Sequence, residues 1–318
     1  MIFFRCAAVL ALFAGAAVAD YMEWPAGVKS IPFTKPCHAL AGKSILFVGD
    51  SFERHAYVAF VLWLSNNTNT GALKPQHDTK CEGNGQFEEK VCRNQLAFQR
   101  HVCNVSITLK YGAWPRPSVA DLRQYDHIIW GGGNHPVDGN YVKRKGVNDA
   151  QTVNNIILRP TCGGDFRRWS QKIIWLQPHR QLDPRLVDQC RAQVERYNTE
   201  MAKFLLKTCG IDKIASVWNA TDSLVDHHKR EASYMTWDGM HWGMRVNMLK
   251  AYKIFDAMHT AESYSPVAAY VTTTHDIGFL LEKGPDIVDH SMGEAPEHDA
   301  PRHVLHSGRL ASNVICFV

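Results

Sequence analysis

The stretch Lys43–Arg54, with the sequence KSILFVGDSFER, indicates the fold of the chain. Residues Ser44–Val48 are apolar or β-prone without polar alternation, as is typical of a strand buried on both faces. Gly49 ends this run, and from Ser51 onward the apolar residues recur at helical spacing. The stretch therefore predicts a buried strand, a sharp turn and a buried helix, with Ser51 at the carboxyl end of a sheet.

Ser51 is a candidate nucleophile because of this position. At the start of a helix, free backbone N–H groups and the helix dipole favour negative charge. Such a position suits a hydroxyl whose attack creates an oxyanion. The alternative is that Ser51 serves only as the N-cap of the helix, and this segment by itself leaves both interpretations open.

Short apolar strands alternate with helical segments along the rest of the chain. Strands are predicted over Val105–Tyr111, Asp126–Trp130, Lys172–Leu176 and Ile214–Trp218, and helices over Val119–Gln124, Arg185–Thr208 and Met244–Ala257. This alternation predicts an α/β fold with a central parallel sheet that helices cover on both faces.

The remaining segments lack this pattern. Tyr21–Cys37 contains three prolines and is predicted to be irregular. Residues 66–104 are polar and rich in cysteine, which predicts a long insertion held by disulfides rather than by a core. After residue 260 the pattern weakens, so residues 261–318 are predicted to form an irregular extension.

Composition narrows the class of protein. The chain has 318 residues, of which 45% are hydrophobic and 21% charged, and this length can bury a substantial core. The net charge of +4 is slight and no block of Lys or Arg stands out, so no nucleic-acid partner is predicted. No segment after residue 19 is long and apolar enough to predict a membrane span.

Residues 1–19 read as a secretory signal peptide. Arg5 supplies the positive charge, Ala7–Ala14 the apolar core, and Ala17-Val18-Ala19 the small-residue cleavage site. An uncleaved membrane anchor is the alternative. With cleavage we expect a protein that is secreted or resides in the lumen of the secretory pathway.

Cysteines and glycosylation sequons agree with that compartment. Of nine cysteines, removal of the signal would remove Cys6 and leave eight. An even number after an export signal predicts disulfides, although eight cysteines allow 105 pairings and the sequence does not choose among them. The cysteine spacing lacks the CxxC pairs of a zinc site, and no metal is predicted. Sequons for N-glycosylation begin at Asn66, Asn104 and Asn219.

Three polar clusters follow predicted strands or precede the last helix, where ligands bind in an open parallel sheet. They are Gly49-Asp50-Ser51, Gly131–His135 and Asp238-Gly239-Met240-His241. A serine needs a base to become a good nucleophile, and histidine oriented by a carboxylate is such a base. We therefore predict that His241, oriented by Asp238, faces Ser51. The alternative is that Asp238 only caps the last helix while His241 packs beside Trp242.

Acyl transfer at Ser51 would also need donors for an oxyanion. The candidates are the backbone N–H of Ser51, the N–H of Gly133 and the side-chain amide of Asn134; the alternative for this glycine loop is a flexible connection without a ligand. Candidate substrate-binding residues are Arg54, His135 and Trp242. A structural ion pair is equally consistent with Arg54. Four tryptophans are candidates for sugar stacking or for core packing, namely Trp114, Trp130, Trp237 and Trp242.

The clusters Gly49-Asp50-Ser51 and Asp238-Gly239-Met240-His241 resemble motifs of the SGNH (GDSL-type) hydrolase superfamily. Arg54, in Gly-Asp-Ser-x-x-Arg, and Trp242 make the chain more similar to its PC-esterase branch, which includes the trichome-birefringence-like polysaccharide O-acetyltransferases. The resemblance spans about Ser44–Ala257. It implies a flavodoxin-like three-layer α/β/α sandwich with Ser51 as nucleophile, His241 as base and Asp238 as its orienting partner.

The function expected from the residues and this resemblance is that of a secreted serine-dependent O-acyl esterase or O-acetyltransferase. Its substrate would be an acylated glycan, the intermediate an acyl-Ser51 ester, and residues 20–260 the catalytic domain. No cofactor is expected. The alternative is a non-catalytic module that binds glycans or proteins on the same scaffold.

Overall fold

The computed structural model describes residues 34–112, 117–131, 162, 167–180, 187–226 and 241–259. The predicted signal peptide, residues 1–19, and the predicted extension, residues 261–318, lie outside these ranges. Within the described residues, no helix combines the length and the apolar character needed to cross a lipid bilayer.

The described residues form alternating helices and strands. The helices are α1 (Thr34–Leu40), α2 (Ser51–Ser65), α3 (Val119–Gln124), α4 (Val187–Phe204), α5 (Trp218–Asp226) and α6 (Met244–His259). The strands are β1 (Ser44–Gly49), β2 (Gln99–Val102), β3 (Val105–Tyr111), β4 (His127–Trp130), β5 (Ile173–Leu176) and β6 (Ile214–Ala215). A π-helical turn, Leu205–Cys209, follows α4.

The six strands of the described residues join one sheet in the order β2-β3-β1-β4-β5-β6. The neighbours from β3 to β6 are parallel, and β2 adds an antiparallel edge beside β3. Without β2, the parallel strands follow the 2-1-3-4-5 order of flavodoxin-like folds. The predicted fold class, a central parallel sheet with helices, is confirmed.

Strand β1 lies in the middle of the sheet and faces a core on each side. Its side chains alternate between two clusters of buried residues, as the period of a strand requires. One cluster holds Ile45 and Phe47 together with residues of α2 and α6. The other holds Leu46 and Val48 together with residues of α3 and α4. Helices therefore cover both faces of the sheet, which gives three layers. Because both faces of β1 are buried, its residues are apolar throughout.

Helix α2 is buried along nearly its whole length, from Phe52 to Leu64. Burial on all sides is expected for a helix in the interior of a protein, and α2 packs against the sheet and against α6, which also contacts the sheet. It ends at Asn66, whose backbone has the left-handed conformation that commonly ends helices. The first turn of α2 directly follows β1 and therefore lies at the carboxyl end of that strand.

The insertion, residues 66–104, is held by more than disulfides, so that part of the prediction was wrong. Its apolar residues Leu73, Phe87 and Leu96 are buried in the same cluster as α2, and Gln99–Val102 extends the sheet as β2. The apolar residues are too widely spaced among polar ones to show a helix or strand period. Their burial follows from contact with α2.

Two local predictions were also wrong. The lead-in predicted as irregular ends in helix α1, where Pro36 falls in the first turn and therefore costs no helical hydrogen bond. The strand predicted over Ile214–Trp218 stops at Ala215. There the hydroxyl of Ser216 accepts a hydrogen bond from the backbone N–H of Trp218 (3.2 Å), which begins α5.

Disulfides join Cys37 to Cys103, Cys81 to Cys92 and Cys162 to Cys209. The first ties α1 to the turn between β2 and β3, the second closes a loop within the insertion, and the third joins residue 162 to the π-helical turn. Disulfides in the chain agree with the prediction, whereas their pairing follows from the fold alone.

Two glycines at the ends of central strands make room for a buried carboxyl group. A Cβ added at Gly49 would overlap the side chain of Glu53, and one added at Gly131 would overlap Glu53 Oε1. Glu53 is fully buried, so it has little room to move. Gly49 is therefore required by the close approach of Glu53.

We predict that Gly49→Ala lowers the free energy of unfolding by about 2 kcal/mol or more, because the new methyl group overpacks the core. Urea unfolding measures the change. The same substitution in a Glu53→Ala background should cost clearly less, since the atoms nearest the added Cβ all belong to Glu53. Equal costs in the two backgrounds would contradict this explanation.

Candidate active site

Ser51 and His241 meet at the carboxyl end of β1. Ser51 Oγ lies 2.7 Å from His241 Nε2, a hydrogen bond between residues separated by 190 positions in the chain. Ser51 opens α2 directly after β1, and His241 precedes α6. Ser51 is half-buried, whereas only 5% of the surface of His241 is exposed. A serine hydroxyl in this position can donate its proton to the imidazole.

Asp50, rather than Ser51, is the N-cap of α2. Asp50 Oδ1 accepts a hydrogen bond from the N–H of Phe52 (2.8 Å), and Glu53 Oε2 accepts one from the N–H of Asp50 (2.9 Å). This reciprocal pair is a capping box. The alternative in which Ser51 serves as the cap is therefore wrong, and its hydroxyl is available to His241.

Trp242 holds the backbone that carries His241. Its indole N–H donates to the carbonyl of Arg180 (2.8 Å), beyond the end of β5. Its own carbonyl accepts a hydrogen bond from Asn247 Nδ2 (2.5 Å) in the first turn of α6. Trp242 has 0% exposure, so the expectation that it contacts substrate was wrong. Trp130, at 4% exposure, is likewise a core residue rather than a stacking surface.

Arg54 forms a buried ion pair. Its side chain is 0% exposed, and its Nη2 contacts the carboxylate of Glu89. Burial lowers the pKa of Arg54 to about 10, so the guanidinium remains charged at neutral pH. The interpretation of Arg54 as one partner of a structural ion pair therefore fits this structure. The carboxylate that pairs with it is that of Glu89.

Glu89 and His55 lie beside the serine and were not predicted. Glu89 Oε1 is 3.0 Å from His55 Nε2 and 3.4 Å from His241 Nε2. Burial, followed by the charge of Arg54, lowers the pKa of His55 well below its ordinary value, so the ring is neutral at pH 7. His55 could have been predicted from the sequence, because residues four positions apart, such as Ser51 and His55, lie on the same face of a helix. Glu89 lies in a loop, where no helix or strand spacing indicates which residues approach the site.

Aromatic rings enclose the other side of His241. Phe52 packs edge-on to His241, with ring centroids 5.6 Å apart, and stacks on His179 at 3.7 Å. His179 is itself fully buried. These contacts fix the plane of the His241 ring, which a general base requires.

Glu53 and Lys250 are buried titratable groups beneath the serine. Burial, and then the charge of Asp50, raises the pKa of Glu53 well above its ordinary value. Burial lowers the pKa of Lys250 from 10.5 to about 7, although Glu53 and Asp50 oppose this shift. Lys250 Nζ lies 5.2 Å from the centre of the Phe52 ring. Glu53 therefore favours its neutral form near pH 7, whereas the charged and neutral forms of Lys250 are about equally populated there.

Several predicted site residues lie outside the described ranges, namely Gly133, Asn134, His135 and Asp238, with Trp114 and Trp237. Their roles stay predictions. Among the sequons, Asn66 and Asn104 are exposed and Asn219 is half-buried within α5. Within the described residues, no three His, Cys, Asp or Glu side chains cluster as metal ligands.

Comparison with solved structures found two matches at low sequence identity. One is a mutant of an acetyl-xylooligosaccharide esterase from Geobacillus stearmophilus, with 14% identity and a TM-score of 0.37 over 71% of this chain and 98% of that one. The other, described as a GDSL-like lipase from Parabacteroides merdae, has 15% identity and a TM-score of 0.39 over 69% and 96%. No protein-family model and no curated protein sequence matches the chain. Likeness at this level assigns no substrate or reaction.

We predict that Lys250→Met changes how stability depends on pH. With a pKa of about 7 when folded and 10.5 ordinarily, Lys250 binds more protons in the unfolded chain between these values. The free energy of unfolding of the wild type should thus rise with pH across this window, relative to Lys250→Met, by up to about 1.4 kcal/mol per pH unit. Urea unfolding of both proteins at pH 7, 8.5 and 10 measures the difference. A difference independent of pH would contradict the shift.

Proposed function

We propose that this protein is a serine-dependent O-acyl esterase or O-acetyltransferase that acts on glycans. The observation that carries the proposal is the 2.7 Å contact between Ser51 Oγ and His241 Nε2. Its chemical meaning depends on Asp50, which caps α2 and so leaves the hydroxyl of Ser51 to the imidazole.

The proposed reaction begins when Ser51 Oγ attacks the acyl carbonyl carbon and gives its proton to His241 Nε2. The carbonyl oxygen becomes an oxyanion beside the N-terminus of α2, where the N–H of Ser51 and the helix dipole favour negative charge. We propose Gly133 and Asn134 as further donors, and Asp238 as the carboxylate that orients His241.

The tetrahedral intermediate then breaks the bond to the alcohol oxygen, which takes the proton from His241 and leaves as a free hydroxyl. The acyl group remains on Ser51 as an ester. Water or a second sugar hydroxyl, deprotonated by His241, attacks this ester and restores the serine. Hydrolysis and transfer use the same residues and differ only in which hydroxyl arrives.

The proposal also includes the cellular compartment of the protein and the family that it resembles. We propose that residues 1–19 direct the chain into the secretory pathway, that Asn66, Asn104 and Asn219 carry glycans, and that the chain is more similar to the PC-esterase branch than to the rest of the superfamily. The three disulfides among the described residues support an oxidising compartment. The exposed positions of Asn66 and Asn104 leave room for attached glycans.

Covalent labelling tests the nucleophile. A fluorophosphonate probe should label the wild type and Ser65→Ala, a matched control at the other end of α2, while Ser51→Ala should abolish labelling without unfolding the protein. A folded wild type that never labels would contradict the proposal and favour the binding module. Circular dichroism of each variant verifies that it is folded.

Turnover tests the base and the fate of the acyl group. We expect acetate release from acetylated oligosaccharides, and His241→Ala should lower kcat/KM by about 1,000-fold or more, because the serine proton then has no acceptor. Adding a non-acetylated oligosaccharide and measuring acetyl transfer by mass spectrometry separates transferase from esterase. An unchanged rate in His241→Ala would rule out the mechanism.

A further inference from the structure

Glu89 places a carboxylate beside the nitrogen that carries the proton in the proposed reaction. Its Oε1 lies 3.4 Å from His241 Nε2, the same atom that contacts Ser51 Oγ at 2.7 Å. The Glu89 side chain keeps 17% of its surface exposed, whereas Arg54 and His55 beside it have none. Of these three side chains, only Glu89 keeps exposed surface; its Oε1, which contacts the other groups, is buried, so the exposed part lies elsewhere on the side chain.

The position of this carboxylate is built by several contacts. Arg54 Nη2 contacts Glu89 directly, and His55 Nε2 lies 3.0 Å from it. The loop that carries Glu89 is closed by the disulfide between Cys81 and Cys92. Because of these contacts, Glu89 is held at the site and is not a mobile surface side chain.

Two further hydrogen bonds order the same loop, and one of them ties it to α6. Asn84 Oδ1 accepts a hydrogen bond from the backbone N–H of Met244 (2.9 Å), the first residue of α6. The neighbouring Glu88 accepts one from the backbone N–H of Val91 (2.6 Å). The loop is therefore fastened to the helix that follows His241, and this fixes Glu89 relative to the imidazole.

The proton path indicates which part of the substrate would meet Glu89. When the ester breaks, His241 Nε2 must lie within hydrogen-bond distance of the alcohol oxygen, because it returns the proton there. The acyl oxygen is instead stabilised at the first turn of α2. Glu89 contacts residues 54 and 55, one turn further along that helix, together with His241 Nε2. In the proposed reaction the carboxylate would therefore lie beside the alcohol portion of the ester.

We propose that Glu89 determines specificity for the alcohol side of the substrate. Its carboxylate accepts a hydrogen bond from a hydroxyl on the carbon next to the ester oxygen, and so favours esters of polyhydroxylated alcohols, such as sugars, over esters of simple alcohols. An ionised carboxylate only accepts hydrogen bonds, so it matches a sugar hydroxyl. This inference rests on the proposed function and names the substrate feature that the same site reads.

The charge of Arg54 makes this role possible. An isolated carboxylate at so enclosed a position would favour its neutral, protonated form. The guanidinium of Arg54, which remains charged at neutral pH, favours the ionised form of its partner. Glu89 can then offer an ionised acceptor, and a hydrogen bond to a charged group discriminates more strongly than one between neutral groups.

The test compares two acetate esters that differ by one hydroxyl. One is a monoacetylated methyl pyranoside with a free hydroxyl next to the ester, and the other is its deoxy analogue without that hydroxyl. The quantity measured is the ratio of their kcat/KM values, determined for each ring position of the acetyl group. This ratio does not depend on the fraction of folded enzyme, so a loss of stability in a variant leaves it interpretable.

For the wild type we expect kcat/KM to be about tenfold to hundredfold higher for the hydroxylated ester. This is the factor that corresponds to the free energy of one hydrogen bond to a charged group. Glu89→Ala should bring the ratio close to one, and Glu89→Gln, which keeps a weaker acceptor, should give an intermediate value. The matched control is Glu82→Gln, in the same disulfide loop, where Glu82 pairs with His77. It should leave the ratio and the activity unchanged.

The outcomes separate this inference from the proposed function. Hydrolysis that depends on Ser51, with the same ratio in the wild type and Glu89→Ala, would overturn the role of Glu89 alone. A parallel fall in kcat/KM for both esters would do the same, because it indicates a general positioning role. If neither ester is hydrolysed in a Ser51-dependent manner, the proposed function fails and the inference fails with it.

Discussion

The hydrogen bond from the N–H of Phe52 to the side chain of Asp50 is the constraint on which the site depends. Both Asp50 and Ser51 are residues that commonly cap helices, and a hydroxyl used as a cap would be turned toward the backbone of α2. Because Asp50 takes that role, with Glu53 closing the capping box, Ser51 becomes the first helical residue. Its hydroxyl is then directed to His241, while the dipole of a buried helix acts on the same point.

The residues that follow Ser51 show that this turn is not arranged for stability alone. Glu53, Arg54 and His55 are consecutive and fully buried, and each would lose hydration in the folded state. The fold limits that cost in three different ways. Glu53 favours its neutral form and accepts a backbone hydrogen bond, Arg54 pairs with Glu89, and His55 is uncharged. Buried polar groups of this kind are typical of functional sites.

The cysteine-rich insertion connects the core with the site. Its apolar residues, Phe87 among them, pack against the same core as α2. Its polar residues Asn84 and Glu89 contact the start of α6 and the side chain of His241. One segment therefore covers the buried helix and also contributes a charged group beside the proposed base. A disulfide across this segment restricts the positions that Glu89 can adopt.

The sequence by itself determined the elements whose signals are local. The apolar run of β1, the helical period after Ser51 and the alternation of strands and helices are set by neighbouring residues, and they predict an α/β fold. The order of the motifs also placed Ser51 and His241 at one edge of the sheet. Only the tertiary structure decided that Asp50 is the cap, that Trp242 is buried, and that Glu89 reaches His241. These outcomes depend on contacts between segments distant in the chain, because burial and charge pairing are properties of packing and leave no local period.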